Sequence, residues 1–108
     1  MLFIGFTISF LKVFVHGIEL TFPLLATLAV VLTLLGQIVG RSEGWSSFDS
    51  FYWTFVTATT IGYGDIRPVR RGSRILAILI GFLGLIMSGI LIAVAVEAAN
   101  VALFGTGR

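Results

Sequence analysis

The nine residues "TATTIGYGD", Thr57 to Asp65, lie between two apolar runs that carry no charge, and their reading decides the fold. Gly62 and Gly64 alternate with larger residues, and glycine adopts positive φ without steric cost. A segment that alternates left-handed and right-handed conformations points successive carbonyls the same way, whereas an ordinary strand alternates them. A column of same-facing carbonyl oxygens is a cation site. One chain supplies one wall of such a site, so several copies must surround an axis.

The rest of the chain supplies a membrane for it. Of 108 residues 57% are hydrophobic and 11% charged, with a mean hydropathy of +1.09, against roughly 25% charge in a soluble domain. Thr21 to Gly40 is an uncharged run of 20 residues and Ile75 to Val96 one of 22. Each makes a helix of ~30 Å or more, the thickness of the hydrocarbon core. Cysteine is absent, which excludes disulfides and thiolate chemistry. The start "MLFIGFTISFLK" has no basic residue ahead of its apolar run, so a cleaved signal peptide is not expected.

In residues 1–20, Ser9, Lys12, His16 and Glu19 recur at helical spacing and form one polar stripe. The pattern predicts an interfacial helix with Lys12 toward headgroups, and Thr21-Phe22-Pro23 turning the chain into the first span. The alternatives are an extension of that span, or a third crossing burdened by Lys12 and His16. His16 has no partner in the sequence for metal binding or a pH switch.

Between the spans, Ser46 or Ser47 reads as a helix N-cap with Asp49 in the first turn. The aromatic-rich helix that follows is too short to cross. Glycine-rich backbone after such a helix suggests a re-entrant segment, tolerated at membrane depth only when buried in protein or lining a water path. Its partially negative C-terminus favours a cation beyond it.

"TATTIGYGD" resembles the selectivity-filter signature of potassium channels, with Ile61 where that family more often has valine. The arrangement from Thr21 to Asn100 is similar to the pore module of two-span bacterial channels. The resemblance implies an all-α membrane protein with two transmembrane helices, a re-entrant pore helix and a filter loop, assembled as a homotetramer. It divides the chain into an N-terminal helix (1–20), a pore domain (21–100) and a tail or linker (101–108). Within the pore domain fall the outer helix (21–40), pore helix (47–58), filter (60–64) and inner helix (73–98). By position, K+ would meet the carbonyls of Thr60, Ile61, Gly62 and Tyr63, the Thr60 hydroxyl would complete the innermost site, and Gly64 would close the outer end. Tyr63 would point into an aromatic cuff with Tyr52 and Trp53.

Two features depart from the simplest family pattern. Where some bacterial members carry a glutamate in the short helix, this chain has Val56, so Asp65 is expected to accept a hydrogen bond from Tyr52 or Trp53, or else to be a solvated mouth charge. Five of the seven basic residues, Arg41, Arg67, Arg70, Arg71 and Arg74, lie between the spans. The positive-inside rule would put that connection in the cytoplasm, but the filter resemblance places it outside. Arg70, Arg71 and Arg74 then snorkel toward anionic lipid or form a solvated collar.

In the second span Gly84 and Ser88, and Gly89 and Ala93, stand four apart, a spacing that permits close helix packing. Gly84 reads as a gating hinge or as a packing glycine. The expected function is passive, potassium-selective conduction in a cell membrane, the bacterial inner membrane by the resemblance, without enzymatic activity, cofactor or nucleic-acid partner. "LFGTGR" resembles a linker end, a reading that carries the expectation of a missing cytoplasmic regulatory domain. The rivals are a non-selective cation channel on the same scaffold, a four-repeat potassium transporter and a membrane anchor or accessory subunit.

Overall fold

A computed structural model describes residues 2–104. Three helices account for most of them: α1 (Leu2–Glu43), α2 (Ser47–Ala58) and α3 (Arg71–Phe104). At 42 and 34 residues, α1 and α3 are ~63 and ~51 Å long, more than a hydrocarbon core requires. Both are apolar enough to cross a membrane. The 12 residues of α2 reach only ~18 Å.

The expected turn at Thr21-Phe22-Pro23 is absent: α1 stays helical through Pro23. Proline removes one helical hydrogen bond, but breaking the helix in an apolar setting would strand several more polar groups without water to solvate them. The Thr21 hydroxyl donates to the Gly17 carbonyl at 2.9 Å, so no free polar group is left there by the side chain. At the other end α3 continues through Phe104, which makes residues 101–104 of the expected tail helical, while 105–108 lie outside the described residues.

The chain divides into two compact units. One comprises residues 1–24 and 89–108. In it Phe6, Phe10 and Phe14 stack along α1, with ring centroids 6.4 and 5.7 Å apart. Gly17 meets Val94 so closely that an added Cβ would stand 2.6 Å from its Cγ1. The polar stripe is exposed, with His16 and Glu19 3.8 Å apart.

The other unit, Leu25–Ser88, carries the glycine-rich loop. Its core is Leu32, Val39, Trp53, Ala58, Ile80 and Met87. Between α1 and α2 the chain turns at Gly44, whose φ of +80° lets the Trp45 N–H reach the Gly40 carbonyl at 2.9 Å, a Schellman closure. Ser46 then caps α2, its hydroxyl accepting the Asp49 N–H at 3.0 Å, and Gln37 of α1 donates to the Ser47 carbonyl at 3.1 Å.

One edge of α2 is made of small residues four apart, Ser50, Thr54 and Ala58, all fully or almost fully buried. Opposite them stand glycines. A Cβ on Gly40 would lie 2.6 Å from that of Ser50, one on Gly36 2.8 Å from that of Thr54, and one on Gly84 2.5 Å from the Ala58 Cα. The buried hydroxyls are satisfied within α2, Ser50 donating to Ser46 O at 2.8 Å and Thr54 to Ser50 O at 2.6 Å.

Gly36→Ala should therefore destabilise the fold by about 1–3 kcal/mol through overpacking, and Thr54→Ala, which removes the nearest atom, should restore part of the loss. Thermal unfolding in detergent of the single and double variants measures both.

Candidate functional site

The loop after α2 begins with hydrogen bonds that reverse its polarity. Thr60 N–H donates to Thr57 O at 3.1 Å, and both Ile61 N–H and Gly62 N–H donate to Val56 O, at 3.0 and 3.1 Å. In a trans peptide the N–H and the preceding C=O point in opposite directions. The carbonyls of Thr60 and Ile61, which share peptides with those two donors, are therefore both turned away from α2. The end of the helix turns two consecutive oxygens outward.

Backbone dihedrals carry the pattern further. Positive φ occurs at Thr60 (66°), Gly62 (59°) and Gly64 (80°) and not at Ile61 or Tyr63. The glycine positions take this conformation freely. Thr60 is β-branched and holds it at a cost of about 1–3 kcal/mol. The sequence offered no signal for Thr60, because nothing about a threonine marks left-handed backbone. Its hydroxyl donates to the Thr59 carbonyl at 2.5 Å, which leaves the oxygen's lone pairs as acceptors.

Around this loop the other expected residues are distributed as follows. Tyr52 donates to Asp65 Oδ2 at 2.9 Å. Trp53, the other candidate donor, is instead buried against Trp45, with ring centroids 5.3 Å apart. Val56, read only as the place of a missing carboxylate, contributes its carbonyl to two loop amides. Ile61 and Tyr63 are more than half exposed on the single chain, and neighbouring them Phe48, Phe51, Tyr52, Phe55, Val56 and Thr59 leave an open apolar groove of about 330 Å³. Gly84 sits against the Ala58 backbone.

The hydrogen bond to Asp65, then burial and the nearby charge, raise the Tyr52 phenol above its ordinary range. A raised phenol contributes stability that is fully present below the ordinary value and is lost as pH climbs through the folded value. Tyr52 should thus titrate above the ordinary phenol range in an ultraviolet absorbance titration, and Asp65→Asn should bring it back toward the ordinary value. An unchanged titration in that variant would contradict the bond.

In the connection between the loop and α3, Glu43 at the end of α1 accepts the N–H of Val69 at 3.1 Å and of Arg70 at 3.0 Å. No motif marks this pairing, which joins residues 26 and 27 apart in sequence. Arg74 donates its Nε to the Pro68 carbonyl at 3.3 Å. Among the described residues no group of three or more His, Cys, Asp or Glu side chains could hold a metal ion.

The family described as "Ion channel" matches residues 1–100. A "TWiK family of potassium channels protein 7" from Caenorhabditis elegans is 44% identical over 64 residues, 59% of this chain and 12% of that protein. "Potassium voltage-gated channel subfamily A member 5" is 40% identical in Mustela putorius furo and 38% in Homo sapiens, in each case over 52 residues and 48% of this chain, covering 9% and 8% of those proteins. The chain thus spans about a tenth of the length of these relatives. No solved structure matches it at a significant level.

Proposed function

This chain belongs to the ion channel family, and on that footing we propose that four copies form a potassium-selective pore that conducts passively across a cell membrane. The observation that carries the reading is the turn of the Thr60 and Ile61 carbonyls away from α2, continued by positive φ at Gly62 and Gly64. Stacked around an axis, the carbonyls of Thr60, Ile61, Gly62 and Tyr63 would replace the hydration shell of a permeating K+. Names of the relatives support the choice of ion, since each is called a potassium channel.

On this reading α1 and α3 cross the membrane and α2 enters and returns as the pore helix, with its short length and buried small-residue edge in support. Residues 2–20 prolong the first span or lie at its interface, with Lys12 toward headgroups. Gly84 is the pivot about which the inner helix bends. Because it also seats Ala58, bending there would be felt at the base of the filter. Arg70, Arg71 and Arg74 face anionic lipid at the outer surface. The two-span resemblance implies a bacterial inner membrane, whereas the relatives named above are animal proteins; the reading requires only a cell membrane. Catalysis has no part in it.

Purified protein in planar bilayers tests the proposal. Under bi-ionic conditions potassium and rubidium should be strongly preferred over sodium, with a tetrameric mass in mild detergent. A reversal potential near zero for potassium against sodium would favour a non-selective pore and overturn the reading.

Charge at the mouth yields a second expectation. Between Arg41 and Arg74 each chain carries five arginines against Glu43, Asp49 and Asp65, a balance of 5 − 3 = +2, so four chains would set +8 on the outer side. Arg67, three residues beyond Gly64 and exposed, is the arginine nearest the filter in sequence. Exposed charges act over about a Debye length, ~10 Å at 0.1 M salt and ~3 Å at 1 M. Arg67→Gln should increase inward single-channel current at low salt, and the difference from the parent should shrink as salt rises.

A further inference from the structure

The two apolar runs meet in the unit formed by residues 1–24 and 89–108. On α1 the uncharged run starts at Thr21, preceded by the polar stripe of Ser9, Lys12, His16 and Glu19; on α3 the run stops at Val96, and Glu97 follows. The helices approach where Gly17 lies against Val94, so closely that a Cβ on Gly17 would stand 2.6 Å from Cγ1 of Val94. Beside that contact opens a groove of about 480 Å³, lined among others by His16, Gly17, Leu20, Ala93, Val94 and Glu97. Its size lies within the range of ligand sites, ~300–1,000 Å³.

We propose that this groove binds a phospholipid whose headgroup carries a primary ammonium, the phosphoethanolamine class. One acyl chain occupies the groove, the ammonium meets Glu97, and the phosphate lies toward Lys12. Depth is the first reason. His16 stands five residues before Thr21, ~7.5 Å along the helix, and the polar zone of a bilayer adds ~5–8 Å to each side of its hydrocarbon core. The charged rim of the groove is thus at headgroup level, and its apolar walls lead toward the acyl chains.

Charge is the second reason. Among the described residues the one close pairing of a basic with an acidic side chain is His16 with Glu19, at 3.8 Å. Lys12 and Glu97, both exposed, are left without an ionic partner, and Lys12 is one turn from His16 on the same face. One cation and one anion beside an apolar groove complement a zwitterion. A primary ammonium offers Glu97 three N–H donors, whereas a trimethylated nitrogen offers none. The Thr21 hydroxyl is already bonded to the Gly17 carbonyl at 2.9 Å, so Glu97 is the groove's acceptor for the headgroup.

Intact-mass measurement of the purified full chain, released from detergent with defined lipids added, reads the affinity per chain whatever the assembly. Dioleoyl phosphatidylethanolamine should bind about three- to fivefold more tightly than dioleoyl phosphatidylcholine, the size of an exposed charge contact. The two lipids differ only in methylation of the nitrogen. Glu97→Gln should abolish the preference by weakening the ethanolamine lipid alone, while Lys12→Gln should weaken both equally, because both carry the phosphate. An ethanolamine lipid with a diazirine on its acyl chain should label residues 13–21 and 93–101, and Ala93→Leu, which fills the groove, should remove that labelling. If Ala93→Leu does not fold, Glu97→Gln, at an exposed position, still decides. Equal affinity for the two lipids in the parent overturns the assignment, as does a preference that survives Glu97→Gln or labelling confined to other stretches. The site needs α1 and α3 in a bilayer but no particular ion in the pore, so a loss of the potassium reading would leave it standing.

Discussion

The carbonyl of Val56, accepting the N–H groups of both Ile61 and Gly62, is the contact on which the loop's chemistry depends. A helix end ordinarily leaves its last carbonyls to water or to a cap. Here one of them is spent on the two amides that follow the helix, and planarity of the peptide then dictates where the next oxygens go. The direction of the Thr60 and Ile61 carbonyls is a consequence of how α2 ends, and it needs no side chain. This explains why a valine can occupy position 56: its contribution is backbone.

For that carbonyl to be in the right place, α2 must itself be held, and the means fit an apolar solvent. Between helices in lipid the hydrophobic effect supplies little attraction, so close packing takes over. The buried edge Ser50, Thr54, Ala58 meets Gly40, Gly36 and Gly84 at distances that leave no room for a Cβ. Backbone-to-backbone approach of this kind is stiff, because no flexible side chain separates the surfaces. The hydroxyls of Ser50 and Thr54 would be costly in such a place if unbonded, and both are bonded within their own helix. Large apolar residues such as Phe48, Ile78 and Phe82 are left more than half exposed on the single chain, as expected of surfaces that meet lipid or further copies.

Charge organises the connection between the loop and α3 differently. Two carboxylates, Asp65 and Glu43, each serve as acceptors for donors far away in sequence, Tyr52 for one and the amides of Val69 and Arg70 for the other. Both lie in a region rich in arginine, yet among the described residues neither forms a close ion pair with an arginine side chain; the Arg70 charge acts on Glu43 only as a neighbour. The polypeptide uses negative charge there to hold its own backbone and leaves the guanidinium groups of Arg67 and Arg71, both exposed, to the surroundings.

What the sequence by itself determined is what composition and local chemistry control: two long apolar helices, from uncharged runs too long for anything else; a short capped helix, from Ser46 and Asp49; and left-handed backbone at Gly62 and Gly64, where only glycine is unstrained. Tertiary structure decided the rest. Pro23 suggested a turn, but in an apolar setting the unbroken hydrogen-bond ladder outweighs one missing donor, and α1 runs on. Positive φ at Thr60 is imposed by the two amides gathered at Val56, against the preference of a β-branched residue. Tyr52 rather than Trp53 reaches Asp65 because α2 turns Trp53 inward onto Trp45. Glu43 finds Val69 and Arg70 only once α1 and the start of α3 stand side by side. Periodicity and turn chemistry are properties of neighbours along the chain, so they can be read from it; the partner of a carbonyl or a carboxylate many residues away is set by how helices approach, and that approach is fixed by packing.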